Sequence, residues 1–151
     1  MGLADLRATL FRHHRLRLTP THLSIYHIDG NPKYVPLTRV LFSWLEERHS
    51  TAATSALTMA ELLVQPYIQQ DQQRADSFFG LLSSQTRLTW IPVDLPVADA
   101  TARLRAKYRL KTPDAVQAAT TIIGGATALI TNDRIFERVT EFETIVLDQY
   151  L

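Results

Sequence analysis

The chain has 151 residues, 46% of them hydrophobic, with a formal net charge of +1 and no cysteine. That length suits one domain, residues 1–151, with a substantial core. The near-zero charge leaves any nucleic-acid binding to a local patch. Disulfides, thiolate catalysis and cysteine zinc sites are excluded, which suits a reducing cytoplasm, and no apolar run approaches membrane-spanning length.

In chain order, the amphipathic segment from Leu3 to about His14 reads as a first helix rather than a targeting peptide. RLRLT is a first strand, followed by a short helical turn through Leu23–Tyr26 and a Gly- and Pro-containing loop over Asp29–Tyr34. Pro36 opens a helix with Leu37, Val40, Leu41, Trp44 and Leu45 on one face. STAATS is a short strand, and LTMAELLVQPY a helix stopped near Pro66. Residues 71–84 form another helix, with Ala75, Phe78, Phe79 and Leu82 inward. LTWIPVD is a strand, Ala98 to about Leu110 a helix.

The segment LKTPDAVQAATTIIGGATALITNDRIF then carries a helix capped by Thr112, with Pro113 at its first position and Asp114 in its first turn. Val116, Ala119, Thr120 and Ile123 recur at helical spacing, Gly124 and Gly125 stop the helix, and ATALIT is a buried strand. ETIVLD makes a last strand. Strands alternating with helices predict an α/β fold with a mainly parallel sheet, whose ligands sit beyond the carboxyl ends of the strands.

Three acids fall on that edge. A helix of ~18 Å followed by a strand returning ~17 Å brings Asp133 back near Asp114, and Glu61 follows the STAATS strand by a few residues. Each has a structural explanation when taken singly. Thr58-Met59-Ala60-Glu61 matches a capping box, and Asp114 and Asp133 complement helix dipoles. Taken together, three carboxylates on one edge require a positive charge between them, and Mg²⁺ or Mn²⁺ suits oxygen ligands. Arg109 and Lys111, just before Asp114, and Arg134, just after Asp133, are candidate phosphate contacts. No Gly-x-x-x-x-Gly-Lys loop or Gly-x-Ser-x-Gly elbow competes with this reading.

The stretches IYHIDGNPKY, TSALTMAELLVQPY, LKTPDAVQAAT and ALITNDRIF resemble, in order, the motifs of PIN-domain proteins, especially toxin ribonucleases of the VapC type. The resemblance implies a three-layer α/β/α sandwich with a mainly parallel central sheet. It also implies Mg²⁺- or Mn²⁺-dependent cleavage of RNA, a cognate antitoxin as partner in a type II toxin–antitoxin pair, and a homodimer. By position, Glu61, Asp114 and Asp133 match three of that family's acidic residues, serving as metal ligands and catalytic groups. The fourth acid, which ends the family's first strand, is replaced by Pro20. Two readings follow: a metal-dependent endoribonuclease, or a PIN-fold module that binds RNA or protein and is catalytically impaired.

Overall fold

The computed structural model describes residues 1–18, 30–47 and 49–151; Pro20, the turn expected over Leu23–Tyr26, and Asp29 lie outside them. Five strands form one sheet: β1 (Arg15–Leu18), β2 (Thr51–Ser55), β3 (Leu88–Ile91), β4 (Ala128–Thr131) and β5 (Glu143–Val146). Their order is β3-β2-β1-β4-β5, and every neighbouring pair is parallel. The first strand is therefore central, with Arg17 level with Ala53 on one side and Leu129 on the other.

Around the sheet run α1 (Leu3–Phe11), α2 (Val35–Glu46), α3 (Ala56–Ile68), α4 (Gln72–Ser83), α5 (Leu95–Tyr108) and α6 (Thr112–Ile123). Alternation along the strands divides the core into two layers. Leu16, Ala52, Ala128, Ile130 and Ile145 pack with Leu6 and Leu10 of α1 and Leu37, Leu41 and Trp44 of α2. Leu129 points the other way, into Val97 and Leu104 of α5 and Ala115, Ala118 and Ala119 of α6. This is the expected three-layer sandwich.

Several local expectations change. The helix after β2 does not stop at Pro66 but runs through it to Ile68. The proline sits close to the helix end, so the missing donor costs one bond, and its own carbonyl still accepts from Asp71 N–H at 2.9 Å. The strand LTWIPVD ends at Ile91, because Asp94 caps α5 by accepting from Val97 N–H at 3.1 Å, three residues before the predicted start. Phe79, expected inward, is 54% exposed, because it falls beyond the buried stripe of its helix. The first helix ends at Phe11, and the last strand at Val146, where a 3₁₀ turn over Leu147–Tyr150 begins.

The Gly-Gly stop after α6 has two distinct causes. Gly125 has φ of +69°, the left-handed conformation that ends helices. Gly124 has an ordinary αR backbone but no room, since a Cβ there would meet Ile91 Cδ1 at 2.6 Å and the Thr120 carbonyl oxygen at 2.8 Å. Its carbonyl also accepts from Arg15 Nε at 2.5 Å, tying the helix end to the central strand.

Candidate active site

At the carboxyl edge, β2 passes directly into α3. Ser55 is the N-cap, its hydroxyl accepting from Leu57 N–H at 3.1 Å. The capping-box explanation for Glu61 therefore fails: Thr58 instead stands 3.0 Å from Thr54 Oγ1, and Glu61 lies on the second turn, partly buried. Thr112 is likewise not the cap of α6. Lys111 holds that position without a side-chain bond, which places Asp114 as the third helical residue. Asp133 retains its structural duty, capping the 3₁₀ turn over Arg134–Arg138 through Oδ1, which accepts from Ile135 N–H at 2.9 Å.

The three carboxylates act on one another in sequence. Burial raises the Glu61 carboxyl above the usual range, and the charge of Asp114 raises it further, while Arg17 and Gln117 pull it back. Burial also raises Asp114, followed by the charge of Asp133, with Lys111 opposing. Asp114 thus stands electrostatically between the other two acids. Arg109 and Lys111 are exposed at the α5–α6 junction. Arg134 is engaged elsewhere, its Nε 3.1 Å from Glu137 Oε2 and Nη2 3.2 Å from Oε1.

Sequence reasoning missed Arg17 and Gln117. Arg17 is 0% exposed and its guanidinium is pushed down to about 9 by burial, against the raising influence of Glu61. Its Nη1 donates to Thr54 Oγ1 at 2.8 Å and to the Leu18 carbonyl, and its Nη2 to Gln117 Oε1. A signal existed. RLRL alternates, and a central parallel strand is covered on both faces, so its arginines had to be either at the rim or buried.

The donor chemistry fits a hard divalent cation, since carboxylate oxygens on one edge are what such ions take. Among the described residues, however, no three acids converge closely enough to hold one ion between them. The fit is to an ion carried by one or two carboxylates with water completing its shell.

The PIN domain family model matches residues 22–141. The chain belongs to the PIN domain family. The matched stretch holds Glu61, Asp114 and Asp133 and begins after Arg17 and Pro20. Solved structures share the fold at low identity. VapBC2 from Rickettsia felis, bound to a DNA fragment from its promoter, is 22% identical with a TM-score of 0.63, over 87% of this chain and 98% of that one. A toxin–antitoxin complex from Klebsiella pneumoniae gives 22% and 0.62, over 87% and 96%. VapBC-1 from nontypeable Haemophilus influenzae gives 18% and 0.65, over 89% and 98%. No curated protein sequence matches the chain.

Proposed function

We propose that this PIN domain is a metal-dependent endoribonuclease and the toxin of a toxin–antitoxin pair. The observation that carries the reading is Asp114, a partly buried acid coupled to Glu61 on one side and Asp133 on the other, at the edge where α/β sheets bind ligands. Mg²⁺ or Mn²⁺ would be held by Asp114 together with Glu61 or Asp133. When bound, the ion lowers the pKa of a coordinated water and offsets phosphoryl charge.

The protein's own residues do the rest. Lys111 and Arg109 present exposed cations beside Asp114, suited to RNA phosphates. Glu61, held above the carboxylate range by burial and by Asp114, keeps a proton more readily than a free glutamate, as general acid–base work requires. Arg109 occupies the left-handed region, with φ of 58°, at a cost of ~1–2 kcal/mol that glycine would avoid. Keeping an arginine there supports a role in binding. Arg109→Gly is expected to gain about 1 kcal/mol of stability while weakening RNA binding, read by chemical unfolding and by anisotropy with labelled RNA. Unchanged RNA affinity would remove Arg109 from the site.

The toxin assignment draws on the fold shared with the VapBC and toxin–antitoxin complexes. The partners in this reading are RNA, a cognate antitoxin and a second copy of the chain, in the cytoplasm. Val64, Tyr67 and Ile68 of α3 and Leu81 of α4 leave apolar surface exposed for a protein partner, and no helix among the described residues is long and apolar enough to cross a membrane.

The reading is tested by incubating the protein with single-stranded RNA and Mn²⁺, alongside Glu61→Gln and a chelator control. Cleavage lost in both controls is the expected result. The second reading, an RNA- or protein-binding module without turnover, is favoured by the buried guanidinium of Arg17 near Glu61. RNA bound but uncut by a folded protein at millimolar Mn²⁺ would select it.

A further inference from the structure

Arg17 is a costly residue to place where it is. It stands in the central strand, level with Ala53 and Leu129, on the layer covered by α6. A charge taken out of water there needs strong compensation. The groups it bonds are nevertheless neutral: the Leu18 carbonyl, Thr54 Oγ1, Gln117 Oε1 and, at 3.4 Å, the Ala53 carbonyl. Arg17 Nε and Gln117 Nε2 are both buried and lack partners. The opposite charge acting on Arg17 is that of Glu61. The bonds of Arg17 reach the helices that carry the acids: Gln117 lies one turn beyond Asp114 on α6, and Thr54 bonds Thr58, one turn before Glu61 on α3.

We propose that Arg17 is the resident cation of the acidic edge: a positioning residue that holds Gln117 one turn beyond Asp114 and Thr54 against the turn of α3 before Glu61, and that balances part of the Glu61 charge. The inference rests on reading Glu61 as a site acid. One consequence concerns metal. Three acids in sequence would otherwise depend on a bound ion to relieve their repulsion. A fixed guanidinium supplies part of that relief and repels an incoming divalent ion, so this edge persists without metal and binds it less tightly than its carboxylates alone would.

A metal-free double-mutant cycle with Arg17→Met and Glu61→Gln decides the coupling. Glu61→Gln removes a charge that Arg17 partly balances, so it should stabilise the Arg17→Met protein more than the wild type. Non-additivity on the order of tenfold in the unfolding constant is expected, and additive effects would overturn the proposal. If Arg17→Met does not fold, Arg17→Gln replaces it, retaining a polar head without the charge. Calorimetric titration with Mn²⁺ then tests the consequence. The neutral variant should bind about tenfold more tightly than wild type, a coupling of ordinary size for neighbouring groups, and Arg17→Lys should stay near wild type. Equal affinity in every form would sink the cation role. Binding in none of them would sink the metal-dependent nuclease reading instead, while the cycle still decides on Arg17.

Discussion

Asp114→Asn is expected to abolish metal-dependent RNA cleavage and at the same time to raise the melting temperature of the metal-free protein. Loss of activity should be on the order of 10²-fold or more, the scale found when one electrostatic element of a catalytic site is removed. The stability gain has a separate origin. Burial and the charge of Asp133 both disfavour the ionised Asp114, and its own charge in turn disfavours ionised Glu61. A neutral amide of the same shape removes both penalties. An acid serving only the helix dipole would behave oppositely, its removal costing ~0.3–1 kcal/mol. A cleavage assay and a thermal melt on one preparation separate the cases, and a lowered melting temperature at unchanged fold would return Asp114 to a structural role.

The same couplings set a pH dependence. Glu61 and Asp114 both have folded-state pKa values above their unfolded ones, 4.5 and 3.8 respectively. In the window between unfolded and folded values the native state binds more protons, so stability falls as pH rises. Their stabilising contribution is present below the unfolded values and is lost as pH passes the folded ones. The stability gain from Asp114→Asn should therefore be largest near neutrality and shrink toward pH 4.

The extent to which this was legible in the sequence depended on the range of the interaction involved. Hydrophobic period and Gly/Pro punctuation are local, and they located every strand and helix named from the described residues, with ends shifted by a few positions. The end shifts followed from caps that compete. Ser55 and Asp94 captured helix starts that Thr58 and Ala98 had been expected to mark. The three acids were legible from local signals: Glu61 on the second turn of the helix that follows β2, Asp114 in the first turn of α6 after the α5–α6 junction, and Asp133 just past β4. Arg17 and Gln117 were not read, because their meaning depends on pairing 100 residues apart in the chain. An arginine in RLRL looks like a rim residue until the strand order puts β1 in the middle.

That central position also links the core to the site, and two truncations separate the layers. Trp44→Ala, in the layer covered by α1 and α2, should cost ~3–5 kcal/mol, and Leu129→Ala, in the opposite layer, ~2–5 kcal/mol. Each is a large share of the ~5–15 kcal/mol expected for a domain. Both side chains are almost wholly buried, at 2% and 0% exposure. Urea unfolding should show lower midpoints at unchanged slope. Their effects on the site should nevertheless differ. Leu129 is level with Arg17 across the β1–β4 ladder and packs in the cluster with Ala115, Ala118 and Ala119 of α6, the helix that also carries Asp114 and Gln117. A cavity there lets α6 settle and weakens the hold of Gln117 on Arg17, so cleavage per folded molecule should fall. Trp44 packs on the other face, among Leu37, Leu41 and Leu45. Its loss should lower the amount of folded protein and leave the activity of each folded molecule near wild type. Equal losses of specific activity in the two variants would mean that α6 is not what transmits packing to the acidic edge.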